Sequence, residues 1–95
     1  MRFELFEGPM SVGVVSWQPP GVVVLDIPDE DRRAVLVRHF GGGSARGGEG
    51  RVEIPRPDWR SGDFEAACLE LDASSGILAV ARPSQDDPGR RSKPR

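Results

Sequence analysis

The sequence holds one Cys, one His and one Lys, and its longest apolar run, Ile77 to Ala81, is only five residues. A single Cys, Cys68, excludes an intramolecular disulfide and fits a reducing compartment. With one Cys and one His, a structural zinc site of the Cys/His type cannot be drawn from a single chain. The apolar runs fall far short of the about 20 residues that span a bilayer. Met1-Arg2-Phe3-Glu4-Leu5-Phe6-Glu7 carries no uninterrupted apolar stretch of signal-peptide length. These absences lead to the expectation of a soluble, cytoplasmic protein with no membrane partner, no metal and no cofactor.

What is present is globular in composition: 95 residues, 37% hydrophobic and 29% charged. A single domain of this size buries roughly two-thirds of the surface its unfolded chain exposes, so the core is modest. The net charge of −2 conceals an asymmetry. Residues 1–81 carry eight Arg against thirteen acids, whereas residues 82–95 hold Arg82, Arg90, Arg91, Lys93 and Arg95 against Asp86 and Asp87. An acidic body is not the profile of a domain that wraps nucleic acid on its folded face. The organisation expected is one domain over 1–82 and a disordered basic tail over 83–95, where no periodicity remains.

Along the chain, Phe3 and Leu5 alternate with charged residues in the period of a half-buried strand, and Phe6 breaks the alternation as if covered on both faces. Val12 to Trp17 is β-branched and ends on an aromatic. Pro20-Gly21 suits the centre of a type II turn, with Gly21 taking positive φ. Val22 to Ile27 is a third strand, so the first three segments read as an antiparallel meander. Pro28-Asp29-Glu30-Asp31 opens a helix with acids first; Arg38 and His39 close it, and Gly41 stands where a left-handed cap belongs. The short run Ala34-Val35-Leu36-Val37 also permits a strand, but charge order and capping favour the helix. Arg51 to Ile54 reads as a short edge strand before Pro55. A second helix starts at Ser61 or Gly62, runs to about Ala73 with Phe64, Ala67, Cys68 and Leu71 as one apolar stripe, and is terminated by Ser75-Gly76. Ile77 to Ala81 is apolar on both faces and reads as a central strand. The fold class is α+β: a small antiparallel sheet with two helices on one face.

Each feature that resembles a site has a plainer account. GGGSARGGEG (41–50) contains six Gly, but it follows a helix, and no Lys-Ser/Thr follows the second Gly of a Walker spacing. A flexible connector is the better reading, with Arg32, Arg33 and Arg46 as the arginines that would serve an anionic nucleotide if it bound one. Asp72-Ala73-Ser74-Ser75-Gly76 resembles the D/N-x-S-x-x-G motif of PilZ domains, which bind cyclic dinucleotides; Arg32-Arg33 would then stand for that family's Arg pair. The match covers five residues, is one residue short before the Gly, and puts the Arg pair inside a helix. The same residue types end a helix and begin a strand. His39 lacks an orienting partner in the sequence, and Cys68 lies on an apolar stripe, where thiols are inert.

Trp17, and Trp59 within Pro55-Arg56-Pro57-Asp58-Trp59-Arg60, fall outside the core periods. With Arg56 and Arg60 they form the candidate interface, because aromatics and Arg concentrate at hot spots. Arg90, Arg91, Lys93 and Arg95 could touch phosphate weakly and without sequence preference. The sequence gives no positive ground for an enzyme. It favours a non-enzymatic interaction or accessory module, binding an unknown protein or its own copy through an unprotected sheet edge. The alternatives are a nucleic-acid accessory protein acting through the tail and a sensor of small anionic ligands.

Overall fold

The computed structural model describes residues 1–41, 46–48 and 50–82. The meander is present as β1 (Arg2–Glu7), β2 (Met10–Gln18) and β3 (Val22–Asp26). It is followed by α1 (Glu30–His39), β4 (Arg46–Gly48), β5 (Arg51–Pro55), α2 (Ser61–Ser75) and β6 (Leu78–Arg82). Among the described residues the strands form one antiparallel sheet in the order β4-β5-β3-β2-β1-β6.

Register explains why one face became the core. Phe3 pairs with Val15, Val15 with Leu25, Trp17 with Val23, and Val23 with Ile54, so apolar side chains of four strands stand in rows on one side. The other face carries charge alternating with valine: Glu4, Val14, Asp26 and Arg51 form one row. β1 keeps its alternation through Phe6, and a bulge lies opposite it in β2. The register shifts between Leu5 and Phe6, Val12 is the extra residue, and Phe6 stands half-buried on the open face instead of being covered on both sides.

Both helices lie over the apolar face. Asp29 caps α1 by accepting from the backbone N–H of Arg32 at 2.9 Å, and Gly41 follows its last turn at φ +78°. Residues 34–38 are therefore helical; Leu36 and Phe40 are fully buried. α2 begins where Asp63 Oδ2 accepts from the Arg60 N–H at 2.9 Å. That is half of a capping box, since a guanidinium has no acceptor to return the bond. Phe64, Cys68 and Leu71 go into the core as the stripe predicts. Phe64 is its centre, with ring centroids 5.8 Å from Phe3, 5.8 Å from Trp17 and 6.1 Å from Phe40.

Three sequence expectations need correction. Ile77–Ala81 is not a central strand: among the described residues β6 pairs with β1 alone and is an edge. Its small residues Ala79 and Ala81 need little cover, so apolarity on both faces did not signal a second neighbour. β5 is not the edge either, because β4, drawn from inside the Gly-rich segment, lies beyond it. Residues 42–45 and 49 of that segment lie outside the described residues. Third, Gly21 has no positive φ, so the turn is not type II; a cis peptide joins Pro19 to Pro20. Glycine suits position 21 for lack of space: a Cβ would stand 2.5 Å from the Arg56 carbonyl oxygen.

Candidate interaction surface

Gly76, left-handed at φ +72°, caps α2, and Ile77, 2% exposed, anchors the chain before it enters β6. From there the strand runs beside β1, with Leu78 opposite Phe6, Ala79 opposite Leu5, Val80 opposite Glu4 and Ala81 opposite Phe3. The other side of β6 has no strand partner among the described residues. Edges are usually shielded by charge, proline, a bulge or shortness. β4 at the opposite end of the sheet is three residues long. β6 has five residues, and Leu78 to Ala81 contains no charge and no proline.

The two sides flanking this edge differ chemically. On the open face, Leu78 is 51% exposed, and Val80 and Phe6 are half-buried beside it. Arg82 ends this apolar strip with its charge already engaged: its Nε donates to Glu4 Oε1 at 3.0 Å, and Ser11 Oγ donates to Glu4 Oε2 at 3.0 Å. On the helix face, α2 packs against β6. One flank of α2 faces α1, because His39 Nε2 donates to the Ala67 carbonyl at 2.8 Å and His39 Nδ1 lies 3.4 Å from Ser74 Oγ. Helical spacing puts Glu65, Leu69 and Asp72 on the opposite flank, toward the β6 edge. All three are exposed, Leu69 by 64%. α2 carries Asp63, Glu65, Glu70 and Asp72 and no basic residue. Glu65, Glu70 and Asp72 make no ion pair among the described residues.

The residues singled out from sequence lie elsewhere. Trp17 is in the core at 9% exposed, stacked on Phe64, and offers little area to a partner. Arg56 and Trp59 do come together, but as an internal clamp: the guanidinium lies 4.2 Å from the Trp59 ring centroid and donates to the Phe40 carbonyl at 3.0 Å. Trp59 is half-buried against Phe40, and Arg60 is the exposed N-cap of α2. Arg32 and Arg33 diverge. Arg32 pairs with Glu7 and Asp29, tying α1 to the β1–β2 turn, and both partners keep its guanidinium firmly charged. Arg33 donates to the Ile27 and Pro28 carbonyls, and lines an open groove of about 670 Å³ with Glu30, Val37, Arg38 and Val52. Arg46 contributes its backbone to β4. Arg90, Arg91, Lys93 and Arg95 lie outside the described residues. Asp72 to Gly76 is the end of α2, and its serines reach His39 and their own helix.

Cys68 is buried, and desolvation with a further push from the Glu65 charge raises its thiol to about 12. Among the described residues no three His, Cys, Asp or Glu side chains gather as a metal set, and no helix is long and apolar enough to cross a membrane. The β6 edge was missed because strand order is not written in strand composition. The acidic flank of α2 was readable: acids at Glu65 and Asp72 straddle Leu69, and residues 61–75 contain no Lys or Arg. Compared with protein-family models, with curated proteins and with solved structures, the chain finds no match.

Proposed function

We propose that the protein is a non-enzymatic interaction module that works by strand addition: its binding element is the free edge of β6, and its partner contributes a strand to the sheet. The observation that carries this reading is an edge of five residues whose first four, Leu78 to Ala81, hold neither charge nor proline. Backbone N–H and C=O groups along such an edge are ready partners for another extended chain, and the strip of Leu78, Val80 and Phe6 gives it apolar surface to cover. The contrast with β4 supports the reading, since the opposite edge is short. A single buried free thiol supports a cytoplasmic setting.

The test is selection of a random-peptide library on the immobilised full-length chain, followed by amide hydrogen exchange with the selected peptides bound. Protection is expected at Leu78–Arg82, and Val80→Lys, which places a charge on the edge, is expected to abolish retention. Protection concentrated elsewhere, for instance along the groove between α1 and β5, would overturn the reading. So would a chain that retains no peptide and does not self-associate.

A further inference from the structure

We infer that the strand received by β6 comes from a basic, extended polypeptide whose side chains alternate between cationic and apolar; the inference rests on the strand-addition reading above. Successive side chains of an added strand face opposite sides of the sheet. Every second residue therefore extends the open-face strip of Leu78, Val80 and Phe6, where apolar area is what there is to cover. The residues between them lie beyond Ala79 and Ala81 on the helix side, below the flank of α2 that carries Glu65 and Asp72. Glu65 and Asp72 are the charged residues of that flank, α2 carries no base to offset them, and neither makes an ion pair among the described residues. Lys or Arg on the incoming strand would supply the missing charge, with Leu69 lying against the aliphatic stems.

Charge also decides between this occupant and a second copy of the chain. Two copies joined at β6 would each bring an acidic α2 flank to the junction, and each would offer Ala79 and Ala81 to the other's acids. Like charge facing like across an interface is disfavoured. Arg82 does not relieve this, because it is held by Glu4 on the opposite face.

The experiment uses the full chain and three synthetic probes matched to β6 in length: alternating Val and Lys, alternating Val and Glu, and a backbone N-methylated copy of the Val/Lys peptide. Fluorescence anisotropy is read at low and high salt. The Val/Lys peptide is expected to bind with an affinity that falls as salt rises, and the Val/Glu and N-methylated peptides are expected not to bind. Glu65→Lys combined with Asp72→Lys is expected to weaken the Val/Lys peptide by roughly tenfold or more and to admit the Val/Glu peptide. Both positions are exposed, so the variant should keep its circular dichroism spectrum. Equal binding of the two peptides, or an affinity unchanged in the double variant, would overturn the basic partner. Strand addition would survive that result if the N-methylated copy still failed. Binding of the N-methylated copy would overturn both readings. A stable dimer dispersed by Val80→Lys and indifferent to the Val/Lys peptide would leave the edge in use, with a second copy as its occupant, and would overturn the inference.

Discussion

Arg56 holds the end of α1: its guanidinium donates to the carbonyl oxygen of Phe40 at 3.0 Å, sixteen residues back along the chain. That carbonyl belongs to the helix C-terminus, where acceptors have no partner within the helix. The same guanidinium lies over Trp59, and the Arg56 N–H donates to Gly21 O at 2.8 Å, so one residue joins α1, the β2–β3 turn and the approach to α2.

Arg56→Ala is therefore expected to destabilise the fold by about 2–3 kcal/mol, from a charged hydrogen bond and a stacked cation lost together. Arg56→Lys should recover only part of this, because an ammonium cannot both stack flat on Trp59 and reach Phe40. Urea denaturation midpoints read the difference, and Trp59 fluorescence should respond in both variants.

Gly41 borders the same contact. At φ +78° a side chain is strained, and a Cβ would also collide with the Arg56 guanidinium. Gly41→Ala should cost about 1–2 kcal/mol from the left-handed backbone alone, with the clash added. The double variant with Arg56→Ala should be less unstable than the sum of the two single changes, since removing the guanidinium removes the clash. Strict additivity in thermal or chemical denaturation would show that the two do not meet.

Cys68 should be inert to a disulfide exchange reagent in the native protein at pH 8 and reactive after unfolding. Its thiol, raised to about 12 from an ordinary 9.0, also sets an alkaline limit. Above pH 9.0 the unfolded chain loses this proton while the folded one retains it. Stability should thus fall between pH 9 and about 12, with a slope approaching ~1.4 kcal/mol per pH unit from this group. Cys68→Ala should lower stability near neutral pH through lost packing, yet remove this thiol's share of the alkaline slope.

Asp29 acts at the acid end. The Arg32 backbone N–H it accepts from lowers its carboxyl below the usual range, with the Arg32 side chain adding to the effect. The stabilisation is present above the unfolded carboxyl value and is lost as pH falls through the lower folded value. Asp29→Asn keeps a capping oxygen and should lose much of that acid dependence; Asp29→Ala should destabilise α1 across the whole pH range. Circular dichroism melts at several pH values separate the two.

The amino-acid sequence by itself determined the local elements. Alternation marked β1 and the β-branched runs marked β2 and β3; Asp29, the acid-first order and Gly41 marked α1; and the Phe64, Cys68, Leu71 stripe with Gly76 marked α2. Each signal is carried by residues within one or two turns or a few strand positions, so each can be read without knowing the rest of the chain. Tertiary structure decided who stands beside whom. β6 lies next to β1 across a separation of more than 70 residues, and α2, which precedes β6 in the chain, packs its Phe64 on Phe3 of β1 and Trp17 of β2. Strand neighbours follow from how rows of side chains such as Phe3, Val15, Leu25 and Phe64 fill one layer, not from the composition of any strand. For the same reason Trp17 went into the core, Arg56 and Trp59 became a clamp, and an apolar strand that resembled a centre became the open edge.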